Sequence, residues 1–140
     1  MDADELDWWR EHPNPSDDEI RGLCEAWLAY HREDHDGGVD TDDPNWWAVE
    51  AAMDAECDLE RIWRVIQVLC ELATPDDPAV GMIGWGPMVS MIYQCGGNAA
   101  MDLIEPAAER NATLFAALTH VSAFSDPVRP RIERYLQTRG

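Results

Sequence analysis

The chain has 140 residues, 46% hydrophobic and 27% charged, enough for one domain that buries roughly two-thirds of its unfolded surface without disulfide or metal staples. It carries 28 Asp and Glu against 10 Arg and no Lys, a formal net charge of −18, so its field repels nucleic acid and anionic membrane and attracts basic proteins and cations. The absence of lysine excludes the P-loop lysine, Schiff-base lysines and a lysine general base.

The charge is uneven. Residues 1–60 hold 20 Asp and Glu against Arg10, Arg21 and Arg32, a balance of −17, whereas residues 61–140 hold 8 against 7 Arg, a balance of −1. The start, Met1-Asp2-Ala3-Asp4-Glu5, lacks the basic residues and apolar run of a signal peptide. The weakly polar stretch from Val80 to Tyr93 is broken by glycines and Pro87 and is too short to cross a bilayer. These features predict a cytoplasmic protein with no membrane partner. Cys24, Cys57, Cys70 and Cys95 are widely spaced with no Cys-x-x-Cys pair, which predicts reduced, buried thiols.

In chain order, Asp4 to Glu11 has the pattern of one or two helical turns with Leu6 and Trp9 inward, closed by Pro13-Asn14-Pro15; this arm is expected to be optional to the fold. Ser16 followed by Glu19 is a capping box, after which Ile20, Leu23, Cys24, Trp27, Leu28 and His31 recur on one helical face, with Gly37-Gly38 as the stop. The acidic loop Asp34-His35-Asp36-Gly37-Gly38-Val39-Asp40-Thr41-Asp42-Asp43 follows. Asp43 is placed to cap a second helix with Pro44 at its first position, carrying Trp46, Trp47, Val49 and Ala51 to about Cys57.

Asp58 caps a third helix whose stripe of Leu59, Ile62, Trp63, Ile66, Leu69, Cys70 and Ala73 marks it as the core helix. A short segment, Asp76 to Ile83, leads to Gly84-Trp85-Gly86-Pro87, with Pro87 suited to start a fourth helix that Gly96 ends. Pro106 is expected to start a short helical turn to Arg110. Asn111 caps a helix with Leu114, Phe115, Leu118 and Val121 inward, and a terminal helix presents Ile132, Tyr135 and Leu136. No strand pattern or repeat is evident. The fold class predicted is all-α, a single-domain irregular bundle of about six to seven helices, with an acidic arm at 1–15, a core at 16–125 and a helix packed on it at 126–140.

The order of motifs carries a resemblance. Trp27-Leu28-Ala29-Tyr30-His31, then Trp47-Ala48, Asp58-x-x-Arg61-x-Trp63, Gly84-x-Gly86-Pro87 and Asn111-x-x-Leu114-Phe115-x-x-Leu118 together resemble an uncharacterised bacterial family, domain of unknown function 6869, over roughly residues 20 to 122. In that family's pattern a Glu tends to stand two positions after the proline, where this chain has Val89. The resemblance implies an all-helical single domain and brings no activity, cofactor or catalytic residue.

His31 and His35 stand at i and i+4, the spacing of a helical zinc pair, but the zincin pattern needs Glu where Arg32 stands and the inverted pattern needs Glu where Asp34 stands. His31 also continues the apolar face, which favours a histidine at the core edge. An EF-hand loop beginning at Asp34 would place Gly38 at the fifth position, where an oxygen ligand belongs, and Val39 at the sixth, where Gly belongs. Gly81-x-x-Gly84-x-Gly86 follows no strand, so it reads as a helix-joining loop rather than a dinucleotide fingerprint. The serines lack a nucleophile-elbow context. No cofactor is expected, and an enzyme is the less favoured class.

The tryptophans point elsewhere. There are seven, and the adjacent pairs Trp8-Trp9 and Trp46-Trp47 cannot both point inward, because neighbouring residues on a helix lie about 100° apart. Partly exposed tryptophan beside carboxylates is the material of protein interfaces, above all against an arginine- or lysine-rich surface. The expected binding set is Asp34, Asp36, Asp40, Asp42, Asp43, Trp46 and Trp47, and the expected partner is a basic protein, not nucleic acid. Two uses compete: an immunity-like inhibitor that caps a basic toxin such as a nuclease, and a nucleic-acid mimic that blocks a DNA-binding or defence protein. A metal-dependent enzyme using His31 and His35 is the third class. The sequence does not fix the oligomeric state.

Overall fold

The computed structural model describes residues 2–12, 14–33, 39–55, 58–121 and 128–139. Eight α-helices run through them: α1 (Asp2–Glu11), α2 (Asp17–Arg32), α3 (Trp46–Ala55), α4 (Leu59–Leu72), α5 (Val80–Ile83), α6 (Asn98–Ala108), α7 (Ala112–Leu118) and α8 (Arg129–Arg139). Two π-helical segments, Gly84–Met88 and Met91–Gly96, continue α5. No strand occurs among the described residues, and the fold is an all-α single domain, as the patterning predicts. Among the described residues, no helix is long and apolar enough to cross a membrane.

The caps fall where the sequence puts them. Ser16 Oγ accepts from Glu19 N–H at 3.2 Å while Ser16 N–H donates to Glu19 Oε1 at 2.7 Å, so two donors at the start of α2 are satisfied reciprocally. Asp58 Oδ1 accepts from Arg61 N–H at 3.2 Å and Asn111 Oδ1 from Leu114 N–H at 3.0 Å, starting α4 and α7.

The core helix is α4. Ile62, Val65, Ile66 and Leu69 are fully buried, and α4 packs most extensively against α2, whose buried Leu23, Cys24, Trp27 and Leu28 meet it. Each such side chain contributes on the order of 1.5–3 kcal/mol through burial. Cys24 Sγ–H donates to Val65 O at 3.5 Å across this seam. Burial pushes the Cys24 thiol well above its ordinary range and the Cys70 thiol to about 12, so both are neutral, inert groups of the core. The side chains of Cys57 and Cys95 lie outside the described ones.

Four expectations need correction. The first helix is not an accessory: α1 packs on α3, and Leu6 and Trp9 join the common core. Arg61 on α4 holds it, donating from Nη2 to Trp9 O at 3.2 Å with its guanidinium 5.3 Å from the Trp9 ring centroid. Next, α2 ends at Arg32, because Glu33 is already extended and its N–H bonds back to Tyr30 O; Gly37 and Gly38 lie outside the described residues.

The third correction is the glycine-rich stretch, which is helix and not loop. Pro87 has no N–H and its ring crowds the preceding turn, and widening the helix to the π form accommodates it. Gly84 has a separate reason: a Cβ there would run into the carbonyl oxygen of Ala117 on α7, so only glycine lets the two backbones meet. The run stops at Gly97, one position beyond the predicted stop, where a φ of +51° favours glycine. Fourth, Pro106 does not start a helix but sits in the last turns of α6, which buries Ala100, Met101 and Ile104.

The C-terminal helix α8 lies on α6. Arg131 bonds Glu105 and Asp102 at 2.9 and 2.7 Å, and Tyr135 Oη–H donates to Glu109 Oε2 at 2.9 Å. Arg131 is thus spent within the molecule, as is Arg129, which pairs with Glu133 on α8 at 3.0 Å.

Candidate acidic and aromatic binding face

The described members of the expected binding set, Asp40, Asp42, Asp43, Trp46 and Trp47, lie between the end of α2 and the first turn of α3. Tyr30, buried on α2, organises them: its Oη accepts from Asp40 N–H at 2.9 Å, and its ring lies 5.4 Å from that of Trp46. Asp40 Oδ1 then accepts from Asp42 N–H at 3.0 Å, a side-chain turn that shapes the loop before α3. Asp40 and Asp42 are exposed and unneutralised by any ion pair among the described residues.

Asp43 departs from the expectation that it stands free. It is 8% exposed, with Oδ1 accepting from Asn45 N–H at 2.8 Å and its carbonyl from Trp46 N–H at 3.0 Å, so it shapes the turn ahead of α3 and does not cap a helix starting at Pro44 as the sequence predicts. The helix it introduces begins at Trp46, past a turn through Pro44 and Asn45. Asp34 and Asp36 lie outside the described residues.

Trp46 and Trp47 are both half-buried, and they face different neighbours. Trp46 packs on Tyr30 and donates from Nε1–H to Glu50 Oε1 at 3.0 Å. Trp47 instead lines a groove of 430 Å³ between α1, α2 and α3, together with Trp8, Trp9, Glu19, Gly22 and Leu23. In the first pair, Trp9 is buried at 4% exposure while Trp8 is partly exposed, edge-on to Trp9 at 5.3 Å and stacked on His12 at 4.1 Å. Each adjacent pair therefore leaves at least one indole in contact with solvent.

Of the candidate metal pair, only His31 is among the described residues. His31 is partly buried against the rings of Trp27 and Tyr30, at 4.2 and 5.0 Å, in keeping with a core-edge residue. The helical register it would share with His35 ends at Arg32, and His35 lies outside the described residues. No three His, Cys, Asp or Glu side chains converge as a metal site among the described residues.

With the geometry in place, the comparisons can be read onto it. The group described as "Family of unknown function (DUF6869)" matches residues 35–140, about three-quarters of the chain. The chain belongs to this family. The DUF6869 match takes in Asp40, Asp42, Trp46, Trp47 and the Gly84–Pro87 run, while α1 and α2, with Trp27 to His31, stand before it. No curated protein and no solved structure matches the chain significantly.

Two features escaped the sequence reading. The groove draws on residues 8 to 47 from three helices, and its one local signal was Gly22, an isolated glycine inside a well-capped helix. The other is Trp85, 61% exposed on the first π segment near Met82. Its signal was a tryptophan between two glycines in the charge-free stretch from Pro78 to Met101.

Proposed function

We propose that this chain is an acidic cytoplasmic binding protein that captures a basic protein, in the manner of an immunity protein that caps a basic toxin such as a nuclease. The observation that carries the reading is the joining of charge and aromatic surface. Nearly all of the net charge belongs to residues 1–60, and the same residues supply the half-buried Trp8, Trp46 and Trp47 and the exposed Asp40 and Asp42, with Asp40 and Trp46 both held on Tyr30. Long-range attraction between such a face and a basic surface speeds encounter, and desolvated tryptophan slows escape. Asp34 and Asp36 belong to the same acidic loop and are proposed to add to its field. Asp43 is assigned to the scaffold of the loop.

A compact patch with an aromatic centre suits an inhibitor better than a nucleic-acid mimic, which needs carboxylates in a stripe as long as a duplex segment. The test begins with the protein recovered alongside this chain from its native host, identified and purified. Asp40→Asn with Asp42→Asn is expected to slow its association severalfold and flatten the salt dependence. Trp46→Ala is expected to speed dissociation and cost about 2 kcal/mol. Variants that bind as the parent does, with helix content intact, would place the interface elsewhere, and a partner with no basic face would remove the proposal altogether.

A further inference from the structure

The groove between α1, α2 and α3 makes no use of its own openness within the chain. Its walls are the indoles of Trp8 and Trp47, backed by buried Trp9; Glu19 stands at its rim, and Gly22 and Leu23 lie on the α2 side. At 430 Å³ it is in the range of sites that enclose a ligand group.

Gly22 is the informative residue. It lies in the second turn of a sixteen-residue helix, is exposed, and a Cβ built on it meets nothing within 4 Å. Neither a positive φ nor a close approach within the chain calls for glycine there, unlike Gly97 and Gly84. Glycine at an exposed helix interior is less favourable than alanine. A residue that costs stability and leaves the groove open is explained by something entering from outside.

The chemistry of the groove specifies what enters. Indole faces attract a cation through their quadrupole, and a planar guanidinium stacks on them better than an ammonium. The chain already uses Trp9 in this way, with the guanidinium of Arg61 at 5.3 Å from its ring. Glu19 gives one oxygen to Ser16 N–H, which leaves acceptor capacity on its carboxylate for a charge-assisted hydrogen bond. The helices that form the groove all lie in the part of the chain whose balance is −17, so long-range attraction favours the approach of a cationic side chain over an acidic one.

We propose that the groove bounded by Trp8, Trp47, Glu19 and Gly22 is a docking pocket for an arginine side chain of a basic polypeptide. It rests on the reading of the chain as a binder of basic protein and names where that protein's anchor residue sits.

The test uses a short peptide, acetyl-Gly-Arg-Gly-Arg-Gly-amide, and its counterpart with citrulline, which keeps the shape of arginine and removes its charge. Titration followed by tryptophan fluorescence and calorimetry is expected to give saturable binding of the arginine peptide and at least tenfold weaker binding of the citrulline peptide. Gly22→Ala is expected to raise the melting temperature yet weaken binding, and Gly22→Leu, which the open site accommodates, to abolish it with the helical spectrum unchanged. Trp47→Leu is expected to weaken it tenfold or more. Should Gly22→Leu bind the arginine peptide like the parent while Asp40→Asn with Asp42→Asn does not, the pocket assignment falls and the acidic loop alone is the binding site. Equal binding of the two peptides also overturns the pocket. Indifference of the parent to the arginine peptide, together with loss of the basic partner in the preceding experiment, overturns both readings.

Discussion

Single residues divide into those whose role follows from local rules and those whose role depends on what folds against them. Ser16, Asp58 and Asn111 are of the first kind, because a cap is written in the four residues around it. Asp43 is both: its neighbour Pro44 announces a helix start nearby, and only the structure shows the helix beginning at Trp46, with Asp43 a buried carboxylate of the preceding turn. Asp77 is of the second kind. Arg32 reaches it from α2 with contacts of 2.6 and 3.1 Å, and Ala79 N–H donates to it at 2.9 Å. Hydrogen bonding from the Arg32 guanidinium holds the Asp77 carboxyl below its usual 3.8, against the opposing push of burial. A carboxylate with a depressed folded-state value stabilises fully above its unfolded value and loses that contribution as pH falls through the folded one. Asp77→Asn is therefore expected to cost about 1 kcal/mol near neutrality, a modest figure because Arg32 is partly solvated. In urea unfolding, the gap between parent and variant should shrink below about pH 4. A gap that is constant down to about pH 2.5 would show that the pair contributes no charge-dependent stability.

At the scale of elements, α2, α4 and α7 were legible because a capping residue precedes an apolar stripe of helical period in each. The Gly84 run was not, since glycine and proline are the usual marks of a loop, and a widened helix that tolerates both leaves the same marks. What decides the matter is α7 on the other side, whose Ala117 carbonyl occupies the space of a Cβ. Gly84→Ala should consequently be costly despite the better helix propensity of alanine. Overpacking backbone against backbone predicts a loss of about 1–3 kcal/mol, read by thermal or urea unfolding. A neutral or stabilising effect would mean that α5 and α7 do not approach this closely. The first helix teaches a related lesson: ten residues with two inward side chains look dispensable in isolation, and only α3 and Arg61 show that Trp9 belongs to the core.

For the molecule as a whole, the fold class and the split of charge between the two halves could be read directly from the sequence. The tryptophan groove could not, because its walls come from residues 8 and 47 and its floor from residues 22 and 23, joined only by packing. The acidic half of the chain supplies the exposed Asp40 and Asp42 and the half-buried Trp8, Trp46 and Trp47, while Arg131 is engaged with Glu105 and Asp102 in the other half. Trp85 offers an internal control, being well exposed yet within the charge-free stretch. The most direct measurement is a nitrogen-15 NMR titration of the intact chain with the arginine peptide used above. The account predicts that the indole signals of Trp8 and Trp47 and the amides of Gly22, Asp40 and Asp42 shift and saturate together, while Trp85 and the amides of α8 stay in place. Shifts spread evenly over the surface, or centred on Trp85, would contradict it.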